Sequence, residues 1–264
     1  MSRKHKPSVP TVTGLSVLAV AFLLVPLIGL LISAPWPDML STLSSPNALQ
    51  ALRLSIITSV SAAALAAVLG IPLAWTLARQ HFPGKRLLRG IVLLPLVLPP
   101  VVGGVALLTA FGRRGLVGKY LYDWFGIQLP FTTAGVVLAE AFVALPFLVI
   151  TVEGALRALD TRFEQAARTL GASPNRVLFT VTLPLISSSV VAGLVLAWAR
   201  ALGEFGATIT FAGNFPGVTQ TLPLAVYAAL EVSREEAIAL SVVLLAVSLT
   251  VLLTLRGRLT GGRG

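Results

Sequence analysis

EQAARTLGASPNRVLFTVTLP, residues 164–184, is the longest polar interruption between two apolar runs in this chain, and its reading decides the fold. No catalytic constellation lies within it, so its meaning depends on what surrounds it. The 264 residues are 56% hydrophobic and only 11% charged, with a mean hydropathy of +0.90. That is more apolar surface than a soluble domain of this length can hide, so the surrounding solvent is a lipid bilayer.

Within the stretch the pattern is helical. Asp160 or Thr161 is placed to cap a helix whose apolar residues Phe163, Ala166, Ala167 and Leu170 recur at i, i+3, i+4 and i+7, and Gly171 supplies its stop. Ser173-Pro174 opens a second short helix, with Val177, Leu178 and Val181 turned toward the membrane or the neighbouring spans. Two uses fit this shape: an element gripped by another protein, or an amphipathic segment resting on lipid headgroups.

Working outward, six apolar runs are each long enough, at roughly 20 residues and 1.5 Å per residue, to cross about 30 Å of hydrocarbon. They cover residues 13–33, 52–78, 91–111, 133–152, 185–210 and 237–255. The first exceeds the apolar core of a secretory leader, usually about 7 to 15 residues, and is read as a retained span. The third contains LPLVLPPVVGG, in which Pro95, Pro99 and Pro100 each remove a backbone donor and force a kink or break. Pro99 and Pro100 either line a pathway or mark a kinked helix packed through Gly103 and Gly104.

Charge distribution supplies the topology. Fourteen of the twenty Lys and Arg fall on the two ends and on the loops after spans two and four, four fall on the other loops, and Arg53 and Arg200 lie within spans. By the positive-inside rule both termini and residues 164–184 are cytoplasmic. The expected organisation is a tail over residues 1–12, a six-helix membrane domain over 13–255 with a cytoplasmic loop over 153–184, and a tail over 256–264. The same distribution assigns the net charge of +10 to orientation, with no nucleic acid as partner.

The basic exceptions, Arg113, Arg114 and Lys119, sit in an outer loop beside Tyr120, Tyr122, Trp124 and Phe125, an interfacial aromatic belt. They either attract an anion or pair with acidic lobes of a soluble protein. The late outer segment is longer than a hairpin needs and is expected to form a short helix at the mouth of a pathway, near Asn214, Thr219 and Gln220. Arg200 and Glu204, one turn apart at membrane depth, either form an ion pair that holds span five together or help an anion across.

Several classes lose their residues. The chain lacks cysteine, and His5 and His81 are isolated, so no metal centre is expected. No GxxxxGK[ST] phosphate loop occurs, so nucleotide is bound elsewhere if at all. Glu140 and Glu204 alone make no acid-base site, leaving no catalytic residue and no cofactor to assign. A channel or secondary transporter would need no polar stretch of this kind, and no inverted repeat is evident.

At residues 164–184 the chain resembles the transmembrane subunits of bacterial and archaeal ABC importers. Their cytoplasmic loop carries Glu-Ala-Ala, a glycine six residues after the Glu, and Leu-Pro about a dozen residues further on. Ala166, Ala167, Gly171, Leu183 and Pro184 match; the Glu slot falls on Gln165, with Glu164 one residue earlier and Arg168 following the alanines. The resemblance implies an all-α type I importer permease in the plasma membrane. Its loop docks in a cleft of a separate ATP-hydrolysing subunit, present in two copies beneath two copies of this chain. ARALGEFGATITFAGNFPGVTQTLPLAVYAALE, LPLVLPPVV and GRRGLVGKYLYDWFGI are similar to permeases for tetrahedral oxyanions, most to the molybdate/tungstate branch, while the sulfate/thiosulfate branch shares Arg-x-Leu-Gly-Glu. An extracytoplasmic oxyanion-binding protein is the implied donor of substrate.

Overall fold

The computed structural model describes residues 10–260, with side chains for residues 11–253. Among them every regular element is helical. Helix α1 (Pro10–Ile32) leads through a 3-10 turn and α2 (Met39–Leu43) into α3 (Pro46–Arg79). Then follow α4 (Lys85–Val97), α5 (Pro100–Phe111), α6 (Gly118–Phe125) and α7 (Thr133–Ala158). The polar stretch forms α8 (Arg162–Thr169), α9 (Pro174–Val177), a π turn (Leu178–Thr182) and α10 (Leu183–Leu185). The chain closes with α11 (Ser187–Leu202), α12 (Gly206–Ala212), α13 (Leu222–Val232) and α14 (Arg234–Thr260).

Helices α3 and α7 form the centre of the bundle. Ser45 starts α3 by accepting a hydrogen bond from the Ala48 amide (3.3 Å), with Pro46 in the first turn, and Thr132 starts α7 by accepting from the Gly135 amide (3.1 Å). Their contact is built on small residues: Ala62, Ala66 and Ala74 of α3 are fully buried, so the backbones approach closely. Leu148 of α7 fits between two glycines. A Cβ would come within 3.3 Å of Leu148 at Gly70 of α3, and within 2.9 Å at Gly193 of α11.

The six apolar runs correspond to four long helices and two bent pairs. Helices α1, α3, α7 and α14 are each long and apolar enough to cross a bilayer. The first is exposed along almost its whole length, as a lipid-facing helix is. The third run differs from a single kinked span: it starts at Lys85, and α4 and α5 meet at 119°. Pro95 is accommodated inside α4. The break falls instead at Leu98 and Pro99, each of which precedes a proline and is therefore driven out of the helical region, to ψ 131° and ψ 133°.

The fifth run, read as continuous over 185–210, is interrupted twice. The helical stretch Pro174–Leu185, which ends in α10, meets α11 at 81° around Ile186, and Gly203 to Phe205 separate α11 from α12. The helix expected in the late outer segment is α13. Of the expected tails, residues 1–9 and 261–264, including Arg3, Lys4, Lys6 and Arg263, lie outside the described residues, as do the side chains of Arg256 and Arg258.

Candidate functional site

The polar stretch is held by one buried carboxylate. Glu164, only 4% exposed, projects from α8 and receives hydrogen bonds through Oε1 from Arg79 Nε (3.2 Å), Arg79 Nη2 (2.9 Å) and Thr182 Oγ1 (3.1 Å). One side chain thus joins the last turn of α3, the short helix and the π turn that leads back to the bundle. A second brace stands beside it: Glu153 of α7 accepts from Arg89 of α4 (2.6 Å) and from Arg157 (3.0 Å). Both ion pairs lie at the same end of the α3–α7 pair.

The local geometry of α8 follows from its sequence. Asp160 Oδ1 accepts from the Arg162 amide (2.9 Å), so the side-chain cap is Asp160. At the other end Gly171 adopts φ 85°, with its amide on Arg168 O and the Ala172 amide on Ala167 O. That is a Schellman closure, which needs the left-handed residue glycine provides. Ser173 caps α9 through the Arg176 amide (3.4 Å). Of the second helix's apolar residues, Val177 is buried, and Leu178 and Val181 are half-buried.

The predicted apolar stripe on α8 is present but uncovered. Phe163 is 54% and Leu170 89% exposed, Ala166, Gln165 and Arg168 are exposed, and Ala167 is half-buried. Covering Phe163 and Leu170 alone would contribute roughly 3–6 kcal/mol. The acidic anchor of the stretch is therefore Glu164, while Gln165 points outward with the free face. Leu183 and Pro184 lie in α10, at the turn back into the bundle.

Deeper in the bundle the two helix breaks touch. A Cβ at Gly206 would lie 2.7 Å from Pro100 Cβ, and one at Gly104 would lie 2.9 Å from Ala207 O, so α5 and α12 pack backbone to backbone. Beside this contact Arg200 Nη2 pairs with Glu204 Oε2 (2.5 Å), while Glu204 Oε1 accepts from the Ala207 amide (2.8 Å). Glu204, 1% exposed, therefore serves both as counter-ion and as N-terminal acceptor for the half-helix α12. Pro99, Pro100, Arg200 and Glu204 are brought into one region.

Other polar groups cross the core. Thr58 of α3 donates to Glu140 Oε1 of α7 (2.9 Å), and Ser55 accepts from the Leu222 amide at the start of α13 (2.6 Å). At the opposite end from α8, Arg113 stacks over the Tyr122 ring at 4.0 Å and donates to its hydroxyl (2.7 Å). Arg113, Arg114 and Lys119 line one cavity of about 440 Å³ with Tyr122 and Asp123.

Sequence reasoning missed the braces. In the sequence Arg79 and Arg89 count only toward orientation, and Glu153 and Thr182 carry no role. The available signal was the presence of Glu153 and Glu164, two of three carboxylates, with Asp160, on a side of the chain otherwise populated by bases.

Broken helices packed against one another inside an apolar bundle, with a short helix braced outside it and its apolar face uncovered, define a multi-span membrane transport subunit. Residues 67–260 match the family model of the binding-protein-dependent transport system inner membrane component. The chain belongs to that family and is a multi-pass component of the inner membrane. It is 48% identical to the molybdenum transport system permease protein ModB of Mycobacterium tuberculosis over 92% of each chain. It is 35% identical to the sulfate transport system permease protein CysT of Escherichia coli, over 96% of this chain and 93% of that one. Among solved structures, a bacterial ABC transporter involved in import of the polysaccharide alginate superposes with a TM-score of 0.72 at 19% identity, covering 97% and 94%. The fold is the type I importer permease fold expected from the sequence.

Proposed function

We propose that this chain is the permease subunit of an ATP-driven importer that carries molybdate, with tungstate as a close analogue, by alternating access. The observation that carries the reading is the 48% identity over 92% of both chains to a molybdenum permease, against 35% to a sulfate permease. Two copies of the chain form the path, an extracytoplasmic oxyanion-binding protein delivers substrate, and two copies of a separate ATP-binding subunit supply the energy. Residues 13–255 are the membrane domain, residues 1–12 and 256–264 its cytoplasmic tails, and the loop over 153–184 is the coupling element.

Within that loop the uncovered face of α8, with Gln165, Ala166 and Arg168, enters the ATPase cleft, and Glu164 with Arg79 passes its displacement to α3. The tight turn at Gly171 and the link through Leu183 and Pro184 keep the element stiff, so displacement is transmitted where a slack loop would absorb it. Arg200 and Glu204, with the breaks at Pro99 and Pro100, stand on the translocation path. Arg113, Arg114 and Lys119 receive the binding protein. The test is uptake of labelled molybdate by the reconstituted complex in proteoliposomes: tungstate is expected to compete better than sulfate. Stronger competition by sulfate moves the chain to the sulfate branch.

A further inference from the structure

Arg53 has no role in anything described so far. It lies on α3, about two turns and roughly 10 Å inside Pro46, and is exposed. Arg200, the other arginine within a span, is paired with Glu204. Among the described residues no carboxylate pairs with Arg53. An unneutralised guanidinium on an apolar helix is costly unless it meets water or an anion.

It does not face open lipid alone. Arg53 lines a cavity of about 360 Å³ together with Gln50, Leu54, Ile57, Thr133 and Gly217. No acidic residue contributes to that wall. Gln50 is held against the loop, since a Cβ at Gly217 would lie 3.1 Å from its Oε1, and Gly217 takes φ 74°. Thr133 donates to Val218 O (2.8 Å), which clamps the same loop onto the start of α7 and closes one side. The cavity therefore offers one full positive charge and the Gln50 amide as a neutral donor, with no competing acid, in a space that holds a tetrahedral oxyanion and part of its hydration shell. It lies at the far end of α3 from Arg79 and the coupling element, about 39 Å away along the helix.

We infer that Arg53, with the Gln50 amide, forms a binding site for a tetrahedral oxyanion at the mouth of the permease, separate from the Arg200–Glu204 region. The inference rests on the oxyanion-importer reading and adds to it the place where the anion first meets this chain. Arg200 starts out neutralised by Glu204 and must release a partner before it can hold substrate. Arg53 needs no such release, which suits it to receive an anion leaving the binding protein.

A phosphate ester of a lipid headgroup presents the same chemistry, so the experiment separates the two sources. The full complex with its ATPase and binding protein is reconstituted, and uptake of labelled molybdate, tungstate and sulfate is measured for wild type, Arg53→Ala and Arg53→Lys. Pull-down of the ATPase subunit and the melting temperature in detergent are the controls for folding and assembly. For whichever oxyanion the wild type carries, Arg53→Ala is expected to lower uptake about ten-fold, with Arg53→Lys in between and both controls at wild-type values. Uptake equal to wild type in Arg53→Ala overturns the site, as does a fall in uptake matched by an equal fall in assembled complex. A melting temperature lowered in phospholipid nanodiscs but not in detergent, at unchanged uptake, assigns Arg53 to headgroups and also overturns it. If wild type carries sulfate in place of molybdate, the branch assignment fails while the Arg53 comparison is still read on sulfate; if it carries no tetrahedral oxyanion, both readings fall.

Discussion

Two arginine–glutamate pairs organise this molecule, and they do opposite things. At the α8 end Arg79 and Glu164, 85 positions apart, join two helices far apart in the chain. At the helix breaks Arg200 and Glu204, four positions apart, join the chain to itself and cap α12. The first pair fixes where a whole element sits; the second fixes how one span is interrupted. On the proposed function, a motion applied at α8 would reach α3 through the first pair, whereas the second pair, four positions apart, links no two distant elements.

The widest gap between the two should appear on removing Glu164. Glu164→Ala leaves Arg79, with only 15% of its side chain exposed, without its carboxylate and frees Thr182. Breaking a buried pair from one side costs about 3–5 kcal/mol, here concentrated on the docking of α8. Pull-down of the cognate ATPase subunit from detergent is expected to fall at least about ten-fold while membrane insertion persists. Gln165→Ala, on the outward face, should leave the position of α8 intact. Equal retention of the ATPase by Glu164→Ala and wild type would remove the keystone role and equate the two pairs.

The second pair should respond differently. Arg200→Ala leaves Glu204 capping the Ala207 amide but without its counter-ion, and Glu204→Gln keeps a carbonyl acceptor for that amide while losing the charge. Arg200→Ala is expected to slow oxyanion uptake by about ten-fold while lowering the melting temperature in detergent by only a few degrees, and Glu204→Gln should do less to stability than Glu204→Ala. A large loss of thermal stability with little change in uptake per folded complex would make the pair a brace like the other. The polar face of the break would then lose its claim on the pathway.

The sequence made these regions unequally visible. The polar stretch was legible because periodicity, a glycine stop and two cap residues act locally, and α8 and α9 form near the positions those signals mark. Its anchor was not, because a contact between Arg79 and Glu164 depends on α3 and α8 meeting in space, which no local pattern encodes. The same holds for Leu148 between Gly70 and Gly193. In the third run the prolines announced a break without locating it: Pro95 is tolerated inside α4, whereas two successive pre-proline residues at Leu98 and Pro99 leave no helical alternative. In the fifth run nothing short of Gly203 warned that the helix stops, and apolar composition on both sides read as continuity. Arg200 and Glu204 were read as partners from their spacing, but the Ala207 cap needs the break itself.

A third cluster tests whether reach across the fold, more than the pairing of charges, sets the importance of such contacts. Glu153 holds two arginines at once, Arg89 from another helix and Arg157 from its own, one turn along. Arg157 is half-exposed, so solvent screens it and it gives up little on leaving; Arg157→Ala should cost less than about 1 kcal/mol and leave ATPase binding near wild type. Arg89 is less exposed and is the only one of the two that ties α4 to α7, so Arg89→Ala should lower both the melting temperature and ATPase pull-down more than Arg157→Ala does. The comparison uses one carboxylate, which cancels differences in acceptor burial. If the two variants behave alike, or Arg157→Ala is the more damaging, Glu153 is serving as the last-turn partner of α7 and the distinction between bracing across elements and locking within one fails at the site where it is most cleanly posed.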